Sequence, residues 1–207
     1  MWICIAIILV SGYLLGNLNG AICASKLLGD DVRKHGSGNA GLTNFIRSYG
    51  AKHSAIVIMI DAGKAMLACA IGGLLLRSTP LGYQSGAALG GAAVMLGHVF
   101  PVFYGFHGGK GILSGLFIAL MTDWRIAVII LAVFAITYFA TQYVSLGSVL
   151  AAIAFGISFA ALHLDNPVVM ISGVFMGALA TFMHRENIVR LIKGQERKTN
   201  LFKKDKE

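Results

Sequence analysis

A chain of 207 residues with 57% hydrophobic and 13% charged residues and a mean hydropathy of +0.75 is no ordinary water-soluble domain, whose composition runs to about 25% charged residues. Seventeen Lys and Arg against nine Asp and Glu leave a formal charge of +8; in a membrane protein that excess belongs first to cytoplasmic loops and anionic headgroups, so nucleic acid is not assigned as a partner, while anionic substrates remain open. At roughly 20 apolar residues per helical crossing, the chain has room for about seven or eight crossings and no sizeable soluble domain, and it reads as one transmembrane domain over 1–207.

Taken in chain order, apolar runs predict spans at 3–25, 54–76, 82–100, 125–142, 144–164 and 166–184, with a shorter run at 111–121. The short run is about half a crossing, as in a broken or re-entrant helix, whose non-helical backbone must be buried in protein or line a cavity. The first run starts at Met1 with no basic region before it and no clear small-residue cleavage site, so it reads as a retained span. Cys4, Cys23 and Cys69 all sit in apolar runs without metal-like spacing, which points to packing. Seven segments put the termini on opposite sides. With the C-terminus inside, 14 Lys and Arg fall in the inner stretches 26–53, 101–110 and 184–207, and only Arg77 and Arg125 fall outside. That bias selects an N-terminus outside, a C-terminus in the cytoplasm and a basic cytoplasmic tail over 185–207 that includes Lys198, Lys203, Lys204 and Lys206. The fold class is therefore an all-α integral membrane protein of about seven helices, one of them short, whose polar stretches all face the cytoplasm.

Three of these stretches carry chemistry. Residues 33–47 place Gly36, Gly38 and Gly41 among Ser37, Asn39, Thr43, Asn44 and Arg47. Glycines let backbone N–H groups turn toward an anion, and a guanidinium fork suits phosphate; by composition alone a solvated basic loop would look the same. Residues 97–111 end in Gly108-Gly109-Lys110-Gly111 just before the short run, where N–H donors and the helix dipole converge on an anion. This is not a nucleotide-binding P-loop, because Tyr104 stands at the first glycine and Gly111 at the magnesium-binding hydroxyl. Glycine-mediated helix packing is the competing explanation. The third stretch, His184-Arg185-Glu186-Asn187 to Arg190, puts His184 and Asn187 on one helix face, with Arg185 and Arg190 able to reach headgroups.

Asp61 and Lys64 lie one turn apart within the second predicted span, where each charge is expensive, so they form a structural pair or point at the polar site. Ser145 and Ser148, at the turn between two spans, are hydroxyls on the same side as the three stretches. The six histidines show no HExxH or similar spacing, and no metal is assigned.

Together, Gly36-Ser37-Gly38-Asn39 through Arg47, Gly97-His98 through Gly108-Gly109-Lys110-Gly111, and His184-Arg185-Glu186-Asn187 resemble the three motifs of the bacterial membrane-bound acyl-phosphate:glycerol-3-phosphate acyltransferases. The likeness extends to Asp61 with Lys64, the Val144-Ser145-Leu146 turn and the late Lys193-Gly194-Gln195-Glu196. The resemblance implies transfer of a fatty acyl group from acyl phosphate to the sn-1 hydroxyl of glycerol-3-phosphate, giving lysophosphatidic acid and phosphate, as the first committed step of phospholipid synthesis in a bacterial inner or plasma membrane. It implies that Arg47 and Lys110 bind phosphate, that Ser37, Ser148 and Asn187 hydrogen-bond glycerol phosphate, that His184 positions the acceptor or assists its proton loss, and that Gly108 and Gly109 admit phosphate close to backbone. Asn39, Thr43, Asn44, Gly111 and Ser145 complete the expected substrate contacts; Asp61, Lys64 and Glu196 are expected to be structural. No cofactor is implied. Membrane lipids and the enzyme that forms acyl phosphate are the implied partners. None of the six histidines is followed five residues later by Asp, so the His/Asp base of a second acyltransferase class has no counterpart. The rivals are a transporter for a phosphorylated solute, which wants midplane sites and related halves, and a membrane scaffold, which leaves Arg47, Lys110 and His184 unexplained.

Overall fold

The computed structural model describes residues 1–198; Lys203, Lys204 and Lys206 of the predicted tail lie outside them. The described residues contain helices, turns and irregular segments without any strand. In chain order the helices are α1 (Trp2–Gly16), α2 (Gly20–Leu27), α3 (Leu42–Tyr49), α4 (Ser54–Leu76), α5 (Gly82–Val99), α6 (Ile112–Thr122), α7 (Trp124–Thr141), α8 (Val144–Leu162), α9 (Pro167–Met183) and α10 (Arg185–Ile192). Five stretches are long and apolar enough to cross a bilayer: Trp2–Leu27, which joins α1 and α2, Ser54–Leu76, Gly82–Tyr104, Trp124–Thr141 and Val144–Leu162. The bent pair α9 and α10, 54° apart, makes a sixth. The expected seven segments thus become five or six crossings plus the 11-residue α6, which at 1.5 Å per residue reaches roughly 16 Å, about half the hydrocarbon thickness.

Two further expectations change. The run 3–25 is not one helix but breaks at residues 17–19, where Asn19 caps α2 by accepting the Ile22 N–H at 3.0 Å. Bare backbone at that depth needs partners, and α4 supplies them. Lys64 Nζ donates to the Leu18 carbonyl at 2.7 Å and the Gly16 carbonyl at 3.3 Å, while the Asp61 carboxylate accepts the Gly20 N–H at 3.1 Å. The expected structural pair is a splint for a broken helix. The segment from residue 185 is also more than a basic tail: it begins with α10, and Glu196 turns back to bond Asn187 and Arg190.

Small residues set the helix spacing, as they do where lipid offers no hydrophobic drive between helices. Gly72 of α4 meets Gly86 of α5 and Gly16 meets Gly97 so closely that a methyl group at any of the four would strike the facing backbone, and one at Gly177 of α9 would strike Gly156 of α8. A large core of Val94, Met95, Ile118, Ile126, Phe155, Phe159 and Met176 fills the bundle, and a smaller one of Ile22, Val32, Phe45 and Val57 seats the loop before α3. Ile136, Phe139 and Ile157 stay more than 60% exposed on α7 and α8, a surface suited to acyl chains. At one end of the bundle Asp123 caps α7 and lies 3.2 Å from His163, and Ser85 bonds Asn166. The motif-bearing loops gather at the other.

Candidate active site

The first motif is built by its own amides and charges. Asp31 accepts the Arg33 N–H at 3.0 Å and pairs with the Arg33 guanidinium at 2.7 Å; that hydrogen bond holds the Asp31 carboxyl down at about 2. Arg33 Nη1 also donates to the Tyr104 carbonyl at 3.1 Å, fastening this loop to the segment before Lys110. Asn44 is the hub. Its Nδ2 donates to the carbonyls of Val32, His35 and Asn39 at 3.0–3.1 Å, and its Oδ1 accepts the Ser37 N–H at 2.9 Å. Expected as a substrate contact, Asn44 borders the site but has its polar atoms engaged in shaping the loop, which turns through positive φ at Gly36 and Gly38.

The third motif closes over the second. α10 bends away from α9 at His184, bringing Asn187 to Lys110, whose Nζ donates to the Asn187 Oδ1. Asn187 Nδ2 donates to Glu196 at 3.2 Å, and Arg190 Nε to the same carboxylate at 2.8 Å. Burial, with the Arg190 guanidinium nearby, pushes the Lys110 ammonium down to about 8. His184 Nδ1 lies 2.8 Å from the Ala180 carbonyl. A carbonyl only accepts, so Nδ1 carries a proton and the neutral ring keeps its lone pair on Nε2.

These segments surround one cavity of about 710 Å³. Ser37, Asn39, Thr43, Asn44 and Arg47 line it from the first motif; Lys110 and Gly111 from the second; Ser145 and Ser148 from the start of α8; His184, Asn187 and Glu196 from the third. Ser145 Oγ is buried and has no hydrogen-bond partner among the described residues. From this polar end the cavity continues along Ile112, Leu113 and Leu116 of α6, Ile130, Leu131 and Phe134 of α7, and Val144 and Ala151 of α8. One space therefore joins a cationic, hydrogen-bonding head to an apolar groove.

Gly108 and Gly109 are not among the lining residues. A Cβ at Gly109 would strike the His98 ring and lie 2.6 Å from the Ala40 carbonyl; one at Gly108 would strike the His98 carbonyl and lie 2.7 Å from the Pro101 ring. Where a phosphate cradle is expected, the structure shows both glycines closely packed on the end of α5, with the Gly109 N–H donating to the His98 carbonyl at 3.1 Å. Lys64 stays off the lining while Asp61 reaches it. Sequence reasoning assigned no role to His98 and only headgroup contact to Arg190, yet both line the cavity. His98 had two signals, its place beside Gly97 at the head of the second motif and a polar ring closing a mainly apolar, glycine-rich helix.

Fold and cavity define a polytopic membrane protein with an anion-suited pocket opening into an apolar groove. The chain belongs to the glycerol-3-phosphate acyltransferase family, whose sequence model, described as "Glycerol-3-phosphate acyltransferase", matches residues 6–194. The protein of that name from Thermoanaerobacter sp. (strain X514) is 36% identical over 190 residues, covering 91% of this chain and 92% of the relative. That of Finegoldia magna is 38% identical over 194 residues, covering 90% and 91%. The crystal structure of PlsY (YgiH), an integral membrane glycerol 3-phosphate acyltransferase, in its glycerol 3-phosphate form superposes with a TM-score of 0.85 at 32% identity, covering 96% of this chain and 99% of that one. Its lysophosphatidic acid form gives 0.82 at 32% identity, covering 95% and 96%.

Proposed function

We propose that this chain transfers a fatty acyl group from acyl phosphate to the sn-1 hydroxyl of glycerol-3-phosphate, releasing lysophosphatidic acid and inorganic phosphate, as the first step of phospholipid synthesis. The observation that carries this reading is the single cavity whose head holds Arg47, Lys110 and Arg190 and whose tail is apolar. A reaction between two phosphorylated molecules, one of them bearing a lipid chain, needs that combination.

In the proposed reaction the fatty chain lies along α6, α7 and α8, and its phosphate and that of glycerol-3-phosphate sit among Arg47, Lys110, Ser37, Asn39, Thr43 and the α8 hydroxyls of Ser145 and Ser148. The glycerol hydroxyl oxygen attacks the acyl carbonyl carbon; the bond from that carbon to the phosphate oxygen breaks, and the hydroxyl proton leaves on phosphate, directly or by way of His184 Nε2. An acyl phosphate is already activated, so holding the two partners in register and stabilising the departing phosphate supplies most of the acceleration. Lys110 does the latter, steadied by Asn187 and Glu196. Gly111 and the start of α6 add backbone N–H groups at the same place.

The charge bias of the loops supports a site on the cytoplasmic face of a bacterial cell membrane, where the enzyme that forms acyl phosphate would be the natural partner. The donor is tested with purified protein and radiolabelled glycerol-3-phosphate: palmitoyl phosphate supports lysophosphatidic acid formation, whereas palmitoyl-CoA and acyl carrier protein do not. Equal turnover with the thioester donors refutes the acyl-phosphate assignment.

A further inference from the structure

His98 closes α5 between the Asp61–Lys64 pair and the glycines that precede Lys110. Its Nδ1 lies 2.8 Å from Lys64 Nζ and 3.5 Å from Asp61 Oδ1. Lys64 Nζ is also 2.7 Å from Asp61 Oδ1 and donates to the Leu18 and Gly16 carbonyls. Carboxylate and carbonyl oxygens here only accept, and with Lys64 held as an ammonium by the Asp61 carboxylate, the imidazole nitrogen that faces it accepts as well. The neutral ring therefore carries its proton on Nε2.

Nε2 faces away from the pair. It is the ring atom that a Cβ at Gly109 would meet first. The Ala40 carbonyl beside that point already accepts Asn19 Nδ2 at 3.0 Å, and no described residue accepts a hydrogen bond from Nε2. The residue is only 4% exposed, yet it lines the cavity. The N–H of a largely buried ring has few acceptors within reach, and this one lies beside Gly109, the residue before Lys110, in a pocket suited to anions.

We propose that His98 is a substrate-contacting residue whose Nε2–H donates to a phosphate oxygen in the cavity, with Lys64 and Asp61 as positioning residues that fix its tautomer. The splint of the broken first span thereby also aims a donor into the site. This extends the acyltransferase reading above, which supplies the choice of assay substrates; the contact to phosphate is testable without turnover.

Two variants separate contact from packing. His98→Gln sets an amide nitrogen near the Nε2 position, and His98→Asn sets an amide oxygen near the Nδ1 position, keeping an acceptor for Lys64 but withdrawing the donor. Inorganic phosphate should raise the melting temperature of wild type and His98→Gln and have at most a small effect on His98→Asn. In kinetics, His98→Asn should raise KM about tenfold or more for one of the two phosphorylated substrates, with a much smaller change in kcat, and His98→Gln should restore it. The substrate whose KM moves identifies whose phosphate is held. Wild-type phosphate stabilisation and both KM values retained in His98→Asn would overturn the proposal, as would equal losses in both variants, the mark of a packing role. If neither variant folds, nitrogen NMR of histidine-labelled wild type decides, with the other histidines replaced in turn for assignment: a proton on Nε2 and a phosphate-dependent shift there are expected, and a proton on Nδ1 overturns the assignment. A wild type without turnover would defeat the acyltransferase reading while leaving the phosphate measurements to decide the role of His98.

Discussion

Replacing Asp61 or Lys64 by alanine strands a charge in the interior of the bundle. Their side chains are 2% exposed and 2.7 Å apart, so solvent screening gives little relief, and removing one member of such a pair costs about 3–5 kcal/mol. Simple addition would put the double variant at about 6–10 kcal/mol. The double variant buries no charge, however. It leaves the Gly20 N–H and the Leu18 carbonyl without the partners they now have, a loss of about 1–3 kcal/mol each. The double replacement should therefore cost about 2–6 kcal/mol, with a coupling of several kcal/mol between the sites. Unfolding titrations of the four proteins in mixed micelles with a denaturing detergent measure this cycle. Single-variant costs that add to within about 0.5 kcal/mol would refute the splint, because independent sites behave that way.

Because Lys110 in the free protein loses its proton near pH 8, its ammonium is present below that pH and lost above it. kcat/KM should accordingly fall as pH rises through about 8, and Lys110→Arg, if it retains activity, should abolish that limb; an unchanged limb in the arginine variant would assign it elsewhere. Asn44→Asp should be at least as damaging to melting temperature and activity as Asn44→Ala, since a carboxylate would face three carbonyl oxygens; a milder aspartate variant would contradict the hub geometry. Gly109→Ala should lower folded yield and melting temperature as well as activity because of its collision with His98 and Ala40, whereas Gly63→Ala, whose added methyl meets nothing within 4 Å, should be neutral or stabilising by about 0.5–1 kcal/mol. Equal thermal stability of the two glycine variants would count against close packing at residue 109.

The spans were legible because bilayer thickness imposes a length on apolar runs, and the short run at 111–121 appears as α6, shifted by one residue. The break at 17–19 was not. Its partners, Asp61 and Lys64, are more than 40 residues away, and hydropathy does not register the two asparagines within an apolar run. Asn44 was legible as a polar residue in the right window, but its loop partners were not, since three of its four hydrogen bonds run to backbone carbonyls placed by the loop's own path. Gly108 and Gly109 show a similar ambiguity: glycine marks a close approach, and sequence does not say whether the approaching atoms belong to a ligand or to His98. The chain from Lys110 through Asn187 to Glu196 joins residues 77 apart, and it was foreseen as three motifs of one site only through the family resemblance.

The most direct test of the account is a single assay of purified protein in detergent with palmitoyl phosphate and glycerol-3-phosphate, following inorganic phosphate and lysophosphatidic acid together. The account predicts that the two appear in equal amounts, that both require both substrates, and that the acyl group sits on the sn-1 oxygen. Phosphate release that is indifferent to glycerol-3-phosphate, or absence of the lysolipid when both substrates are present, would contradict it.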